Sequence, residues 1–246
     1  MMPRSRATRY APTILALGLA LPTPGRLPDQ PAPALPASYA ILARDYITGE
    51  YGVAAASNAP LIGINLEFLD PDAGAVVVLG GPFLEVNEKV LIALRDGLAP
   101  GRAIAVGLVT DPDKESRQVL AVSPQGAAAF SGDKLEGHAA HKAGEDFALA
   151  GHRLADPDVI VSMEETFVTS GGSLADRLLA ALQAGRDAGG EKDGSHSAAL
   201  TVVGPGARFA TRDRLVDLRI DFTPDDAVAA LAELRARVDS VYGIVR

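Results

Sequence analysis

The residues in this chain best placed to do chemistry are one serine and a set of histidines. Ser38 opens the stretch Ser-Tyr-Ala-Ile-Leu-Ala-Arg-Asp-Tyr-Ile-Thr-Gly-Glu-Tyr-Gly-Val-Ala-Ala-Ala-Ser, residues 38–57, directly behind a proline-rich run. Two apolar segments flank a polar turn from Asp45 to Glu50, and Thr48-Gly49 supplies the residue that tolerates positive φ, so the stretch is predicted to be a β-hairpin. A serine at the first position of a buried strand can become a nucleophile once the chain ahead of it is removed. It can equally be no more than the start of a strand, and both readings stand at this point.

The histidines are His138, His141, His152 and His196. A neutral imidazole donates a hydrogen bond, binds metal and moves protons near neutral pH. His141, His152 and His196 with Glu191 have the ligand types of a zinc or copper site. Their spacing matches no standard ligand pattern, so neither a metal nor another cofactor is expected. For His138 the expectation is a surface position. The carboxylates suggest less. Glu164-Glu165 are expected on a solvated helix face and Asp217 and Asp221 on a strand, and no pair has a spacing that asks for glycosidase chemistry. Gly80-Gly81-Pro82 is followed by no Lys-Ser/Thr and is not a phosphate loop, while Gly189-Gly190 marks a turn after a helix.

The elements that must position these groups follow from hydrophobic patterning. Strands are predicted at 74–79, 118–122, 127–130, 147–150, 198–203 and 215–220, with Ser123-Pro-Gln-Gly126 turning a second hairpin. Helical periodicity covers 84–95, 156–167, 174–186 and 225–238. Ser173 with Asp176 forms a capping-box variant ahead of the third helix. Thr223-Pro224-Asp225-Asp226 offers a cap, a first-turn proline and acids facing the dipole of the last. Strands that cluster in hairpins and helices that come in runs give an α+β class, and a helix–sheet–sheet–helix sandwich fits the order.

Composition narrows the partners. The 246 residues carry a net charge of −8, and four of the arginines lie in residues 1–37, so the remainder is more acidic still. An acidic body without a basic stripe repels phosphate backbones, and nucleic acid is not expected as a partner. With no cysteine, disulfides, thiol nucleophiles, thiolate metal sites and a lipoprotein anchor are excluded. Arg4, Arg6 and Arg9 precede the apolar run Ala11–Leu21, with small residues at Gly18-Leu-Ala20. That is the layout of an export signal over 1–20, too short to hold a membrane span in the mature chain. Residues 21–37 then read as a proline-rich spacer or propeptide, and 38–246 as a single domain.

Several blocks resemble the domain-of-unknown-function 1028 family. They are Ser38–Ser57, Asp111-Pro-Asp-Lys-Glu-Ser-Arg-Gln118, Leu174–Gly185, Asp187-Ala-Gly-Gly190, Ser197-Ala-Ala-Leu200 and Val216-Asp-Leu-Arg-Ile-Asp221, in the family's order. The resemblance implies the N-terminal-nucleophile (Ntn) hydrolase fold, a four-layer αββα sandwich. In that group an N-terminal Thr, Ser or Cys attacks an amide carbonyl. Its own α-amine, with a pKa of about 7.7–8.0, serves as base. Ser38 stands at the family's leading Thr and His141 at its Ala-Gly-His. His152 and His196 replace an Asn and a Gln, so two side-chain amides suited to oxyanion stabilisation have become imidazoles. The chain also departs from the family at Val78–Leu84, where polar residues have become apolar.

The expected function is therefore an exported (periplasmic or extracellular) bacterial amide hydrolase, independent of metal, acting on a small-molecule or peptide amide. Ser38 and His141 would be catalytic, and His152, His196 and Glu191 would bind substrate. The alternative is a ligand-binding or scaffold protein on the same fold without chemistry, favoured by the apolar replacement at Leu79–Leu84. Self-association is left open by the sequence.

Overall fold

The hairpin expected over 38–57 forms as β1 (Ser38–Arg44) and β2 (Tyr51–Ser57), paired antiparallel from Ser38 opposite Ser57 to Arg44 opposite Tyr51. Its turn is closed by the Asp45 carboxylate, whose Oδ1 accepts the N–H groups of Ile47 and Thr48 at 2.8 and 3.1 Å, and Gly49 takes φ 74°. The structure, a computed structural model, describes residues 37–66, 68–80, 84–206 and 214–242. The expected export signal, the expected spacer up to residue 36 and Gly81-Pro82-Phe83 lie outside the described residues.

The chain continues through β3 (Leu69–Asp70), β4 (Gly74–Leu79), α1 (Leu84–Arg95), α2 (Pro100–Leu108), β5 (Gln118–Ser123) and β6 (Gly126–Ser131). It then forms β7 (His138–Ala143), β8 (Phe147–Leu154), α3 (Asp158–Thr169), α4 (Leu174–Asp187), β9 (Ser197–Val203), β10 (Arg214–Ile220) and α5 (Ala227–Tyr242). Two antiparallel sheets result, one of six strands ordered β10-β9-β2-β1-β8-β7 and one of four ordered β3-β4-β5-β6. The class is α+β. No helix among the described residues is long and apolar enough to cross a membrane.

Three apolar layers hold these elements together. Because side chains alternate across a strand, β1 sends Tyr39, Ile41 and Ala43 one way, against Met163, Phe167, Leu178 and Val228 of the helices. It sends Ala40 and Leu42 the other way, towards Val77, Leu120 and Val122 of the four-stranded sheet. On that sheet's far face Val76, Val78 and Val119 meet Val90, Leu94 and Ile104 of α1 and α2. Strands buried on both faces read as continuous apolar runs, which is why β2, β4 and β9 were legible.

The larger differences from the sequence reading have local causes. Helix α2 lies outside the expected helices, and it carries two residues of low helix propensity, Gly101 and Gly107. A Cβ at Gly107 would come within 2.4 Å of Val90 Cγ2, so the glycine is what lets α2 lie against α1. Strand β7 lies outside the expected strands too; with His138, His141 and Lys142 exposed, it is a charged edge strand. The last helix starts later than Thr223-Pro224 suggested. It begins at Ala227, and Asp226 Oδ1 caps it by accepting the N–H groups of Val228 and Ala229 at 2.9 and 3.0 Å.

The capping box at α4 forms as expected. Ser173 Oγ accepts the Asp176 N–H at 3.2 Å and Asp176 Oδ2 accepts the Ser173 N–H at 3.1 Å. Because α4 backs β1 and β2, Ser173→Ala is expected to lower unfolding free energy by about 0.5–2 kcal/mol in urea titrations. An unchanged midpoint would contradict the cap's contribution.

Candidate functional site

Strand register gathers a row of polar residues at one end of the space between the sheets. Ser38 lies opposite Ser57 on one side and His152 on the other, and Ser57 lies opposite Ser197. Their neighbours Tyr39, Ala56 and Ala198 face the helices, while Ala40, Ala55, Ala150 and Ala199 face the second sheet. Alternation therefore directs Ser197, Ser57, Ser38 and His152 together towards the second sheet, and all four are buried.

The second sheet answers with its own polar end. Gln118, fully buried, pairs across strands with Ser131. Its Nε2 donates to the carbonyls of Ala140 and Gly151 at 3.1 and 3.0 Å and reaches Ser131 Oγ at 2.9 Å. Two carbonyls can only accept, so the amide's orientation is set, and Oε1 faces His152 Nδ1 at 3.1 Å. A neutral His152 must then carry its proton on Nδ1. The chain of bonds ends at the exposed His141, whose Nδ1 lies 2.9 Å from Ser131 Oγ. Immediately after His152, Arg153 holds φ 52°, and the register of β7 against β8 slips between His138 and Ala140. Such irregularities re-aim side chains at the end of a strand.

The peptide ahead of Ser38 is gripped as tightly as Ser38 itself. Ala37 is fully buried, and its N–H donates to Asn58 Oδ1 at 2.8 Å. Its carbonyl oxygen receives two donors, Ser57 Oγ at 2.6 Å and the Asn58 N–H at 3.3 Å. The Ala59 N–H donates to Ser57 Oγ at 3.1 Å, which orients the hydroxyl proton towards Ala37.

Glu191 and His196 lie elsewhere. They line a cleft of about 310 Å³ between the end of α4 and residues 224–226, whose walls include neither Ser38 nor His152. Residues 190–192 are tied to the end of β8 by the bonds Ala155 N–H to Gly190 O at 3.0 Å and Lys192 N–H to Arg153 O at 2.9 Å. This buries Glu191, with neither carboxyl oxygen hydrogen-bonded. Beneath the cleft, the Tyr39 hydroxyl is also buried, close to the Ser195 side chain, and burial pushes its pKa well up.

Of the five residues singled out from sequence, His152 and His141 are thus connected through Gln118 and Ser131 and Ser38 lies beside His152 in the strand register, whereas Glu191 and His196 form a second group. His141 sits at the outer end of the hydrogen-bonded chain, not beside Ser38. Among the described residues no three His, Asp or Glu side chains come together to hold a metal ion. Sequence reasoning missed Gln118, Ser131, Ser57, Asn58 and Tyr39. For Ser57 a signal existed, since a hairpin with arms of equal length puts its first and last residues opposite one another.

Burial drives the Glu191 carboxyl up to about 8, against smaller opposing effects of the nearby Ser195 hydroxyl, the Asn58 backbone and the Arg153 charge. Those neighbours lie close enough to favour the ionised form without completing a hydrogen bond to it. A carboxyl whose folded pKa is raised binds its proton more tightly when folded, so stability falls as pH rises from the unfolded value towards 8. Glu191→Gln is expected to flatten that fall, gaining on the order of a few kcal/mol over wild type above about pH 8. Parallel denaturation curves at every pH would contradict the assignment.

Comparison with known proteins places these features in a group. A family model described as "Family of unknown function (DUF1028)" matches residues 38–231. A solved structure, protein SPO2555 from Silicibacter pomeroyi and described with the same family model, is 34% identical with a TM-score of 0.74, covering 82% of this chain and 89% of that one. No curated protein matches the chain.

Proposed function

The chain belongs to the DUF1028 family, and we propose that it is an exported Ntn-type amide hydrolase whose nucleophile is Ser38. The observation that carries this reading is the grip on the Ala37–Ser38 peptide: its carbonyl oxygen accepts from both Ser57 Oγ and the Asn58 N–H. Those donors would stabilise the negative charge that develops when a hydroxyl attacks that carbonyl. The order of packed layers, helices on the outer face of each sheet and an apolar layer between the sheets, supports an Ntn-type αββα sandwich. The family match begins at Ser38 itself, and the basic and apolar run of residues 4–21 supports export.

Two stages follow chemically. In the first, Ser38 Oγ attacks the Ala37 carbonyl carbon, the C–N bond breaks, and the hydroxyl proton passes to the departing nitrogen. Water then hydrolyses the resulting ester, leaving the Ala37 carboxylate, the Ser38 hydroxyl and a free α-amine. In the second, that amine takes the Oγ proton as the hydroxyl attacks a substrate amide, and returns it to the leaving nitrogen. Water hydrolyses the acyl-enzyme. His152, on the same face and with its Nδ1 proton committed to Gln118, is a positioning group for a donor of the incoming substrate, such as its amide N–H.

One observation favours the alternative, a binding protein on this fold. Ala37 is as well packed as any core residue and its N–H is satisfied by Asn58, so the uncut chain fits the site. Intact-mass measurement of purified full-length protein over time separates the two. The hydrolase reading expects a fragment beginning at Ser38, formed about a hundredfold more slowly in Ser57→Ala and not at all in Ser38→Ala. A wild-type chain that keeps the Ala37–Ser38 bond under all conditions would favour the binding protein.

A further inference from the structure

We propose that the cleft between the end of α4 and residues 224–226 is a binding site for a primary alkylammonium group, with the Glu191 carboxylate as its counter-charge. The inference is independent of Ser38 chemistry, because Ser38 and His152 are not among the cleft's walls.

The argument rests on which polar groups remain uncommitted. Both Glu191 oxygens are buried in the cleft wall without a completed hydrogen bond, and the Ser195 side chain lies close to both that carboxyl and the buried Tyr39 hydroxyl beneath it. Gly190, at φ 58°, lies over that hydroxyl, and a Cβ there would sit 3.5 Å from Tyr39 Oη. Apart from the Ser195 hydroxyl, the main donors of the cleft are engaged elsewhere. Arg186 is engaged by Asp187 through Nε and Nη2 at 2.9 and 2.6 Å and faces Asp226 at 3.6 Å. The N–H groups of Gly190, Gly194 and His196 donate to the carbonyls of Gly185, Glu191 and Ser57. His196 Nδ1 lies 2.9 Å from the Thr223 carbonyl, so its proton is committed there and a neutral ring turns only an acceptor, Nε2, to a ligand.

Glu191, His196 and the rim carboxylate of Asp225 thus offer acceptors. A buried carboxyl without a completed hydrogen bond is an expensive arrangement that a cationic donor would relieve. The volume, about 310 Å³, is at the small end of ligand sites and suits a short alkylamine or one aminoalkyl side chain.

Proton linkage gives the site a signature. The groups that face Glu191 are Tyr39 from β1, the Asn58 backbone, Arg153 from β8, Asp193 and Ser195 from the loop before β9, with Arg186 and Asp226 across the cleft. A cation binds the ionised carboxyl, so binding should strengthen as pH rises towards the Glu191 value of about 8.

The test is calorimetric titration of the full chain with n-butylamine, and with n-butanol as the uncharged control, from about pH 6 to about pH 9, a range over which the amine stays protonated. The expected result is saturable binding of n-butylamine that tightens with pH, no binding of n-butanol, and unchanged behaviour in Ser38→Ala. Glu191→Gln should weaken n-butylamine roughly tenfold or more. Equal binding of amine and alcohol, a pH-independent affinity, or no amine binding at all would overturn the proposal. So would wild-type affinity in Glu191→Gln, and if that variant does not fold, the wild-type pH profile and the alcohol control decide.

Discussion

The constraint on which this molecule depends is the burial of β1 on both faces and along both edges. Its backbone is paired with β2 and β8, and its side chains enter two different cores. A period of two then does the positioning without further help. Ser38 must face the second sheet because Tyr39 faces the helices, and a slip of one residue would exchange them. The polar row under Ser38 and the cleft over Tyr39 are thus two consequences of one register.

The space between the sheets is shaped by residue size. Along the six-stranded sheet the inner face is built largely of alanine, with Ala40, Ala55, Ala148, Ala150 and Ala199. Small side chains there let valine and leucine from β4 and β5 fill the gap. At the end of that space the packing turns polar, and burial requires each group to be satisfied. Gln118 meets this demand for three elements at once, holding the Ala140 and Gly151 carbonyls, Ser131 and His152. Glu191 marks the opposite situation, a buried carboxyl without a completed hydrogen bond, and such exceptions ask for a function.

Much of this was legible from the chain alone, and the boundary between legible and illegible is physical. The hairpin at 38–57, helix α1 and the capped helix α4 follow from local periodicity, turn chemistry and caps, which need no distant partner. Helix α2 was hidden because Gly107 is a packing residue dictated by Val90 and not a breaker. Ser38 and His152 were named from their types and the family pattern, and the register brings them together. Glu191 and His196 were named too, but sequence spacing carries no information about which side of a sheet a loop will occupy. Gln118 illustrates the deeper limit: its value lies entirely in four partners between 13 and 34 residues away. Tyr39 reads as core in any sequence, and only the fold reveals a hydroxyl beneath a cleft.

The central claim is that the Ser38 row holds a reactive hydroxyl. The most direct test is to treat the purified protein with a β-lactone, which acylates activated nucleophiles, and to map the adduct by tandem mass spectrometry. The account predicts a single stoichiometric acylation at Ser38, lost when the protein is unfolded first. Acylation at another residue, or none beyond that of unfolded protein, would contradict it.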